Sequence, residues 1–568
     1  MSRAGSPGGG AAEQQADVCV VGAGPNGLTL AIELARRGHS VVVLESRLPG
    51  EFSSPKSNHI SARAMEIFRR MGAADLIRAQ GLPDDFPNDG VYATRFTGRE
   101  LTRFRMPARR DRFDDAGYDD GNLPSRERAA RVSQLYLTPT LAQFATGFAR
   151  LRVLHSTRFV AFSQRAEGVE VQAVPVAGGA PLTVRCRYLV GADGARSDVR
   201  RALGIRLLGE DNIVHARSRL FRAPDLLARC AYPRAWMNWF YVDGKWSSMV
   251  AIDGRELWLI HHFVPPGATA DSLDLDAEMR AVLGVGADFR YETIAQEDWT
   301  GRRLIAERFR AGRCFIVGDA VHQWVPYGGY GMNAGVTDAA NLAWMLDAVL
   351  SGWAPESLLD AHEAERKPVV ERISHIVAEF ARSLREDADS RLLEQDTPQG
   401  EQARQRFGAQ IRADHLRSWV PTGFNFGYCY ERSPIVVHDG ARPPAFSMGE
   451  YQPSTTPGCR VPHFWLRDGG SLFDRLGDGF TLLRLDLRAA TGPLVEAARR
   501  VGMPLVVLDV EPGRDFDPAV FREALLLVRP DQHIAWRGPQ LPGDCAALVD
   551  RVRGAAPERD REAATGSP

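Results

Sequence analysis

Three features that often reveal the class of a protein are missing from this sequence. No apolar run is long enough to span a membrane, and no pair of the seven cysteines has C-x-x-C spacing. The charges nearly cancel, with 70 Lys plus Arg against 71 Asp plus Glu, so no strong field favours nucleic acid. The scattered cysteines argue against a disulfide framework, a zinc knuckle or a dithiol redox pair. We therefore expect a cytoplasmic protein that binds neither membrane nor nucleic acid.

Length and composition set the scale of the fold. The chain has 568 residues, of which 44% are hydrophobic, so it can bury a large core and should contain two or three domains. Its first residues are small and polar without an apolar core, which does not fit a signal peptide. We expect residues 1–15 and 554–568 to form disordered tails.

The region from Asp17 to Glu45 has the pattern of a dinucleotide-binding unit. An apolar run suits a buried strand, three glycines follow with G-x-G-x-x-G spacing, and a helical segment leads to a second apolar run. In order these are Val18–Val21; Gly22, Gly24 and Gly27; Leu28–Arg37; and Val41–Leu44. The glycines permit a tight turn, a close approach to a pyrophosphate, and close packing of helix on strand. Glu45 ends the second strand, where a carboxylate can accept hydrogen bonds from an adenosine ribose.

Arg63 has two interpretations that the local sequence leaves open. It comes just before an amphipathic helix predicted over Ala64–Met71, which Gly72 would end. Its guanidinium is either a surface charge or a group that reaches the pyrophosphate or the phosphates of a nicotinamide cofactor. Residues 83–125 are rich in Pro, Asp, Gly and Arg, and we expect them to form long loops.

Short alternating segments loaded with aromatic residues fill the region 213–264. They predict an antiparallel sheet inserted into an α/β scaffold, with one face suited to wall an aromatic pocket. Ordinary core packing accounts for more than half of the rings. His261 and His262 would point to opposite faces of a strand, so no more than one of them lines a cavity. Without a third ligand at suitable spacing, we predict no metal site.

A second glycine-rich motif occupies residues 313–350. An apolar strand ends at Gly318-Asp319, the position where an α/β sheet places ligand contacts. The Pro- and Gly-rich loop after it leads into a helix near Met332. Backbone N–H groups at such a helix N-terminus form an anion site, which can hold the negative charge of a reduced flavin.

Together these motifs resemble those of the class A flavoprotein monooxygenases, the FAD-dependent aromatic hydroxylases related to p-hydroxybenzoate and phenol hydroxylase. Three motifs in the expected order cover residues 17 to about 380. By resemblance, the glycine turn and Glu45 bind the ADP half of FAD, Asp193-Gly194 handles FAD and NAD(P)H, and Asp319 binds the ribityl chain. The resemblance assigns to FAD the residues Gly22, Gly24, Pro25, Asn26, Gly27, Glu45, Ser46, Arg63, Gln134, Asp193, Gly194, Asp319, Pro326, Gly329, Gly331, Met332 and Asn333.

Among the candidate catalytic residues, only Arg63 is matched by the resemblance. Arg63 matches an arginine that the family carries before its second helix. A phenolic substrate calls for a deprotonating group, for which we consider Tyr241, His261 and Arg222. Tyr330 stands in the Pro- and Gly-rich loop that precedes Met332, where many relatives have Gln or Phe.

The C-terminal region resembles the thioredoxin-like domain of phenol hydroxylase and polyketide hydroxylase relatives, although it lacks C-x-x-C. We predict an α/β protein with a Rossmann-like FAD-binding domain, an inserted antiparallel β-sheet substrate domain and a C-terminal thioredoxin-like domain. The predicted boundaries are 16–205 with 295–395 for the discontinuous FAD-binding domain, 206–294 for the substrate domain, 396–440 for a connecting helix and loop, and 441–553 for the thioredoxin-like domain.

The resemblance implies hydroxylation of a phenolic or polycyclic aromatic substrate through a flavin C4a-hydroperoxide, in natural-product tailoring. FAD would be the cofactor, NADPH or NADH and O₂ the co-substrates, and the protein a monomer or a homodimer. The alternatives are an antibiotic-inactivating monooxygenase, a flavin-dependent oxidase or halogenase, and a flavin-loaded protein that only binds aromatics. Trp236 and Trp239 have the wrong spacing for the W-x-W-x-I-P segment of halogenases.

Overall fold

The computed structural model describes residues 12–51, 56–121, 123–264, 274–382 and 388–555. Within these ranges the chain forms four β-sheets with helices packed around them. The helices, in chain order, are α1 Pro25–Arg36, α2 Ala62–Met71, α3 Ala74–Ala79, α4 Gln134–Ala145, α5 Asp198–Ala202, α6 Leu275–Leu283, α7 Tyr330–Leu350, α8 Asp360–Arg382, α9 Ser390–Glu394, α10 Pro398–Trp419, α11 Thr422–Phe426, α12 Gly492–Arg500 and α13 Cys545–Val552.

The central sheet carries the predicted dinucleotide-binding unit. Its strands are β2 Val18–Val21, β3 Val41–Leu44, β6 Leu151–Leu154, β10 Tyr188–Gly191, β16 Arg310–Ala311 and β17 Cys314–Ile316, in the order β16-β17-β10-β2-β3-β6. All pairs are parallel except β16 with β17. Every residue of β2, β3, β10 and β17 is buried, as expected for a parallel sheet covered on both faces. The predicted buried strands over residues 18–21 and 41–44 are confirmed.

A smaller sheet contains β1 Ala12–Gln15, β7 Thr157–Arg165, β8 Gly168–Pro175 and β9 Leu182–Cys186, in the order β1-β9-β8-β7. The predicted disordered tails at 1–15 and 554–568 lie mostly outside the described residues. For residues 12–15 the prediction is wrong, because β1 pairs in parallel with β9. Strand β1 is polar and largely exposed, so it is held by backbone hydrogen bonds. It therefore lacks the apolar pattern from which a strand could be predicted.

The largest sheet contains the predicted aromatic segments. Its strands are β4 Gly90–Ala93, β5 Glu100–Phe104, β11 Leu207–Arg222, β12 Met237–Val242, β13 Lys245–Ala251, β14 Leu257–Val264, β15 Glu292–Ala306 and β18 His322–Gln323, in the order β18-β15-β11-β14-β13-β12-β4-β5. The prediction of loops throughout 83–125 is wrong, because β4 and β5 extend this sheet. They are short, and β4 joins β12 in parallel, whereas the rest of the sheet is antiparallel.

The two faces of this sheet have different neighbours. One face forms a closed apolar core with α6, in which Phe221, Phe240 and Trp258 are fully buried. The opposite face, formed around Trp239, looks toward the loop that precedes α7. The sheet therefore supplies both a core and a second aromatic surface, as its composition predicts.

The C-terminal region forms a separate mixed sheet of β19 Phe480–Arg484, β20 Leu505–Asp509, β21 Leu525–Val528 and β22 Ile534–Gly538, in the order β20-β19-β21-β22. An α/β unit is thus present where it was predicted, while the domain boundaries stay predictions. Cys429 and Cys459 form a disulfide, with Cα atoms 4.3 Å apart. The scattered cysteine spacing did not predict this pair, because an isolated antiparallel bridge brings together two cysteines 30 residues apart.

Within the described residues, none of the helices is both long and apolar enough to cross a membrane. In the same residues, no group of three or more His, Cys, Asp or Glu side chains is arranged to hold a metal ion.

Candidate functional site

The glycine-rich turn lies between β2 and α1 and has the shape that a bound pyrophosphate requires. Gly22 has φ +106°, and a Cβ added to it would lie 2.4 Å from the carbonyl oxygen of Ala192. A Cβ on Gly27 would lie 2.1 Å from the oxygen of Gly22, whereas one on Gly24 would meet nothing within 4 Å. Gly22 and Gly27 therefore allow close packing, and Gly24 faces open space. Gly24 is the N-cap of α1 and supplies no side-chain cap, so the N–H groups of the first turn are available to an anion.

Glu45 follows β3 at the same edge of the sheet. Its carboxylate accepts hydrogen bonds from the Ala23 N–H at 2.8 Å and from the backbone and side chain of Arg47, both at 3.0 Å. Burial raises the pKa of Glu45, but the hydrogen bonds from Arg47 and Ala23 outweigh it and hold the pKa below its usual value. Glu45 is thus an anion that braces the turn, and Ser46 beside it is exposed.

The Asp193-Gly194 and Gly318-Asp319 motifs lie together because they follow the neighbouring strands β10 and β17. Arg200 connects them by donating to the carbonyl oxygens of Ala195 at 3.3 Å and Ala320 at 3.2 Å. Gln323 adds a hydrogen bond of 2.8 Å to the same Ala195 oxygen. The ends of adjacent parallel strands therefore gather the three sequence motifs into one site.

The two aspartates of these motifs have different roles. Asp193 accepts hydrogen bonds from the Ser197 hydroxyl at 2.5 Å and from the Asp198 and Val199 N–H groups at 2.7 and 3.1 Å. Both of its oxygens are thus engaged in capping α5. The carboxylate of Asp319 is half-buried and has no hydrogen-bond partner in the part of the chain that the structure describes. Asp319 is free to bind a ligand, as its predicted role requires.

Asn26 connects the glycine turn to the second motif and to α7. Its amide nitrogen would lie 2.2 Å from a Cβ on Gly318 and 2.1 Å from one on Gly335. Its Oδ1 atom is buried and lacks a hydrogen-bond partner among the described residues. An unsatisfied buried acceptor beside the turn is consistent with a site that a cofactor completes.

The loop before α7 turns sharply through Gly328 and Gly329, with φ of +72° and +68°. Pro326 is exposed, Met332 is half-buried, and a Cβ on Gly331 would meet nothing within 4 Å. Gly331 thus leaves space at the start of the helix. We call residues 326–331 the flavin loop.

Asn333 and Gln134 hold this region to its surroundings. The Asn333 amide donates to the carbonyl oxygens of His59 at 3.1 Å and Gly329 at 2.7 Å and accepts from the Ser61 N–H at 2.8 Å. Gln134 begins α4, and its backbone N–H donates to the oxygen of Ser57 at 2.7 Å. Asn333 therefore positions the flavin loop through backbone atoms, and the Gln134 side chain is half-buried.

The flavin loop packs against the second aromatic face of the large sheet. Tyr327 stacks on Trp239 at 5.7 Å and on Phe263 at 5.8 Å, with interplanar angles of 19° and 16°. Trp239, Ser248, His261 and Ser218 are cross-strand neighbours and therefore share this face. The aromatic face and the flavin loop thus lie opposite each other.

His261 is the candidate acid–base residue that lies on this face. Its Nδ1 is 2.6 Å from the Ser218 hydroxyl, which accepts a hydrogen bond of 2.7 Å from Trp299 Nε1. When the Ser218 hydroxyl donates to His261 Nδ1, the neutral ring carries its proton on Nε2. Burial lowers the pKa of His261 to about 4, so the ring is neutral at pH 7. It presents a hydrogen-bond donor rather than a base.

Three other predicted catalytic residues are engaged elsewhere. Tyr241 is 1% exposed and donates to the oxygen of Ala388 at 3.1 Å. Arg222 is exposed at the end of β11, where it pairs with Glu256 at 3.1 Å and Glu292 at 2.8 Å. The structure therefore assigns Arg222 to a surface ion pair and does not support a role in deprotonation.

Arg63 also has a different role from the predicted one. It lies inside α2 rather than before it, is 5% exposed, and pairs with Glu66 at 3.0 Å. Its guanidinium also contacts the Gln532 side chain and donates to the oxygen of Asp531 at 2.9 Å. Arg63 thus joins α2 to the C-terminal region, and the prediction of a cofactor contact is not supported because these groups engage both of its terminal nitrogens.

Sequence reasoning missed Ser218, Trp299 and the stacking position of Tyr327. Ser218 and Trp299 lie far from His261 in the chain and meet it only through strand pairing. An alternating pattern indicates a strand, but it does not give the register between strands. Tyr327 belongs to the predicted flavin loop, yet its packing on Trp239 depends on how that loop folds.

Comparisons with known proteins agree with this geometry. A family profile described as FAD binding domain matches residues 15–377, and one described as aromatic-ring hydroxylase, C-terminal, matches residues 454–556. The FAD-dependent monooxygenase apdD of Emericella nidulans is 30% identical over 547 residues, covering 92% of this chain and 87% of that protein. Phenol 2-monooxygenase of a Pseudomonas species is 28% identical over 580 residues, covering 95% and 93%. The structure of RebC with bound 7-carboxy-K252c superposes with a TM-score of 0.86 at 33% identity, covering 96% of this chain and all of that one.

Proposed function

Because the chain belongs to the FAD-dependent aromatic-ring monooxygenases, we propose that it uses NADPH or NADH and O₂ to hydroxylate a phenolic or polycyclic aromatic compound in natural-product tailoring. The observation that carries this proposal is the position of Asp319. Its free carboxylate lies between the glycine turn and the flavin loop, and an aromatic face lies opposite that loop. The relatives named for aromatic and natural-product substrates support the substrate class.

The residues present fit FAD along the edge of the central sheet. The open space at Gly24 and the first turn of α1 would hold the pyrophosphate, and Glu45 the adenosine ribose. Asp319 would bind the ribityl chain, and the N-terminus of α7 would lie against the ring system. Bound FAD supplies the redox chemistry, including the activation of O₂. The predicted contacts by Ser46, Gln134 and Met332 remain part of this proposal.

The chain itself has to stabilise charge and exclude water. The backbone N–H groups that begin α7, together with the helix dipole, stabilise negative charge in front of Gly331. The stack of Tyr327 on Trp239 and Phe263 covers the aromatic face and limits the access of water to it. The second of these functions depends on the packing of the flavin loop against the aromatic face.

His261 positions the substrate in this proposal. In the tautomer in which Ser218 donates to Nδ1, Nε2 carries the proton and donates to an oxygen on the aromatic substrate. The sequence suggested Tyr241, His261 and Arg222 as groups that could deprotonate the substrate. In this proposal His261 acts instead as a hydrogen-bond donor.

The experiment that tests the proposal begins with the purified protein and its FAD. NADPH and NADH oxidation is followed by stopped flow with a panel of phenols and polycyclic aromatics, and the products are analysed by mass spectrometry. The proposal requires that one compound accelerates flavin reduction and gains one oxygen atom. Asp319→Asn serves as the matched variant. We expect it to bind FAD about tenfold more weakly and to keep the fold unchanged. If FAD binds but neither nicotinamide reduces it with any compound, the proposal is wrong.

A further inference from the structure

Arg131 is a buried arginine just before α4. Its side chain is 8% exposed, and one terminal nitrogen donates to Nδ1 of His59. The guanidinium carbon lies 4.0 Å from the ring centre of Trp236, which is a cation–π distance. Arg131 is therefore held in place by a neutral ring nitrogen and an aromatic face.

No carboxylate neutralises this guanidinium among the residues that the structure describes. Asp120 and Asp89 are the acids whose charges act on Arg131, but Asp120 pairs with Arg128 at 2.7 Å and Asp89 with Arg103 at 2.8 Å. The Nε atom of Arg131 is buried without a partner. A buried charge without a counter-ion is costly, so its presence calls for an explanation.

Most other buried arginines among the described residues have carboxylate partners, and Arg200, which lacks one, donates instead to two carbonyl oxygens. The carboxylate pairs include Arg63 with Glu66 at 3.0 Å, Arg366 with Asp338 at 2.8 Å and Arg460 with Glu66 at 2.5 Å. Burial lowers the pKa of Arg131 to about 10, partly offset by Asp120 and Asp89, so it keeps its charge at pH 7. The unpaired cation at Arg131 thus differs from these structural ion pairs.

The position of Arg131 connects it to the proposed site. His59 packs on the flavin loop, since a Cβ added to Gly329 would lie 3.3 Å from the His59 Cβ. The His59 oxygen also accepts the hydrogen bond from Asn333. Trp236 immediately precedes β12, the strand that carries Trp239 opposite Tyr327. Arg131 therefore lies where the flavin loop meets the aromatic sheet.

We propose that Arg131, held by His59 and Trp236, binds a carboxylate group on the aromatic substrate. A guanidinium can hold a carboxylate through two parallel hydrogen bonds, and the bound anion would supply the missing counter-charge. The proposal rests on the proposed function, since it places an aromatic substrate between the flavin loop and the sheet. It assigns the recognition of an acidic substrate to Arg131, a residue to which the family assignment gives no role.

The test compares two ligands of nearly the same shape on the FAD-loaded protein. 1-Hydroxy-2-naphthoate and its neutral amide, 1-hydroxy-2-naphthamide, are titrated while the flavin absorbance is recorded. The acid should bind about 10–100-fold more tightly, the range expected for hydrogen bonds to charged groups. Arg131→Gln should bring the ratio of the two dissociation constants close to one. Arg131→Lys, which keeps the charge but not the planar fork, should give an intermediate ratio.

Arg234→Gln is the matched control. Arg234 also lies over an aromatic ring, 5.0 Å from Phe86, but it already pairs with Asp85 at 2.6 Å. This variant should keep the wild-type preference for the acid. If Arg234→Gln keeps the preference for the acid and Arg131→Gln loses it, the preference depends on the unpaired charge of Arg131 and not on the removal of any arginine.

Several results would overturn the proposal. They are equal binding of acid and amide by the wild type, no binding of the acid at millimolar concentration, or an unchanged ratio in both Arg131 variants. If Arg131→Gln lowers the flavin reduction potential but leaves the ratio of the acid and amide dissociation constants unchanged, Arg131 stabilises the reduced flavin and not a substrate carboxylate. The titration measures binding at equilibrium and does not require NAD(P)H oxidation. A protein that prefers the acid but does not oxidise NAD(P)H would therefore contradict the proposed function while supporting the carboxylate site at Arg131.

Discussion

Gly22 packs so closely on Ala192 that a Cβ at position 22 would lie 2.4 Å from the Ala192 carbonyl oxygen. This contact joins the first glycine of the turn to the strand that carries the Asp193-Gly194 motif. It ties the dinucleotide turn to a segment about 170 residues later in the chain. The glycine is therefore needed by the fold as well as by a ligand.

Alanine substitutions in the turn should separate these two requirements. Gly22→Ala introduces the contact with Ala192 and a strained positive φ, and should lower the free energy of unfolding by about 1–3 kcal/mol or more. Gly24→Ala meets no protein atom within 4 Å and should leave stability unchanged while weakening FAD binding. Urea unfolding of the apoprotein and FAD titration measure the two effects. Equal loss of stability in both variants would contradict this assignment.

Arg63→Met tests the structural role of the buried pair with Glu66. Removing one partner of a buried ion pair should lower the free energy of unfolding by about 3 kcal/mol, while FAD affinity of the folded protein is unchanged. Arg69→Met on the same helix is the control. Its pair with Asp474 is partly exposed, at 31% and 33% for the two side chains, so the loss should stay below about 1 kcal/mol. Weakened FAD binding at unchanged stability would instead restore the cofactor contact predicted from sequence.

Tyr327→Ala tests the closure of the flavin loop. Each stacked ring pair contributes about 0.5–1.5 kcal/mol, so loss of both pairs should weaken closure by roughly tenfold. With substrate present, a larger share of the consumed NAD(P)H should then appear as hydrogen peroxide instead of hydroxylated product. Tyr327→Phe keeps the rings and should behave like the wild type. An unchanged peroxide yield in Tyr327→Ala would show that the stack does not exclude water.

The buried histidines predict how stability changes with pH. Burial lowers the pKa of His362 and His463 to about 4, against about 6.5 in an unfolded chain. Between these values the unfolded state binds protons that the folded state does not, so stability falls as the pH is lowered from 7 toward 4. Urea unfolding at pH 7 and pH 5 measures the slope.

His463→Gln should reduce the stability difference between pH 7 and pH 5 by about 2 kcal/mol, because one such proton is removed. His463 is 7% exposed and hydrogen bonded to Ser471 at 2.8 Å. His215→Gln, at an exposed position, should leave the difference unchanged. A pH dependence that is the same in both variants would show that His463 titrates alike in the folded and unfolded states.

Sequence alone predicted the parts of the site that depend on local rules. The apolar runs of β2 and β3, the turn at Gly22–Gly27 and the position of Asp319 at a strand end follow from periodicity and glycine spacing. Since parallel strands place their carboxyl ends at one edge, the convergence of these motifs was also predictable. These features need no knowledge of distant contacts.

The remaining features depend on contacts between distant segments. Arg63 has partners more than 460 residues away in sequence, and no local pattern distinguishes such an arginine from a phosphate ligand. The His261–Ser218 contact requires the register of two strands, and the Cys429–Cys459 pair requires the path of the chain. For β4 and β5, short length and polar neighbours concealed two strands that are stabilised by pairing of β4 with β12 and of β5 with β4.

The amide of Asn26, wedged between Gly318 and Gly335, has a consequence for the order of events during synthesis. Its packing partners leave the ribosome nearly three hundred residues after the glycine turn. A nascent chain that ends before Gly318 has β2 and α1 but lacks the carboxylate of Asp319 and the start of α7. The ribosome therefore has to synthesise more than half of the chain before a cofactor can bind. Flavin binding is a late step in the synthesis and folding of this protein.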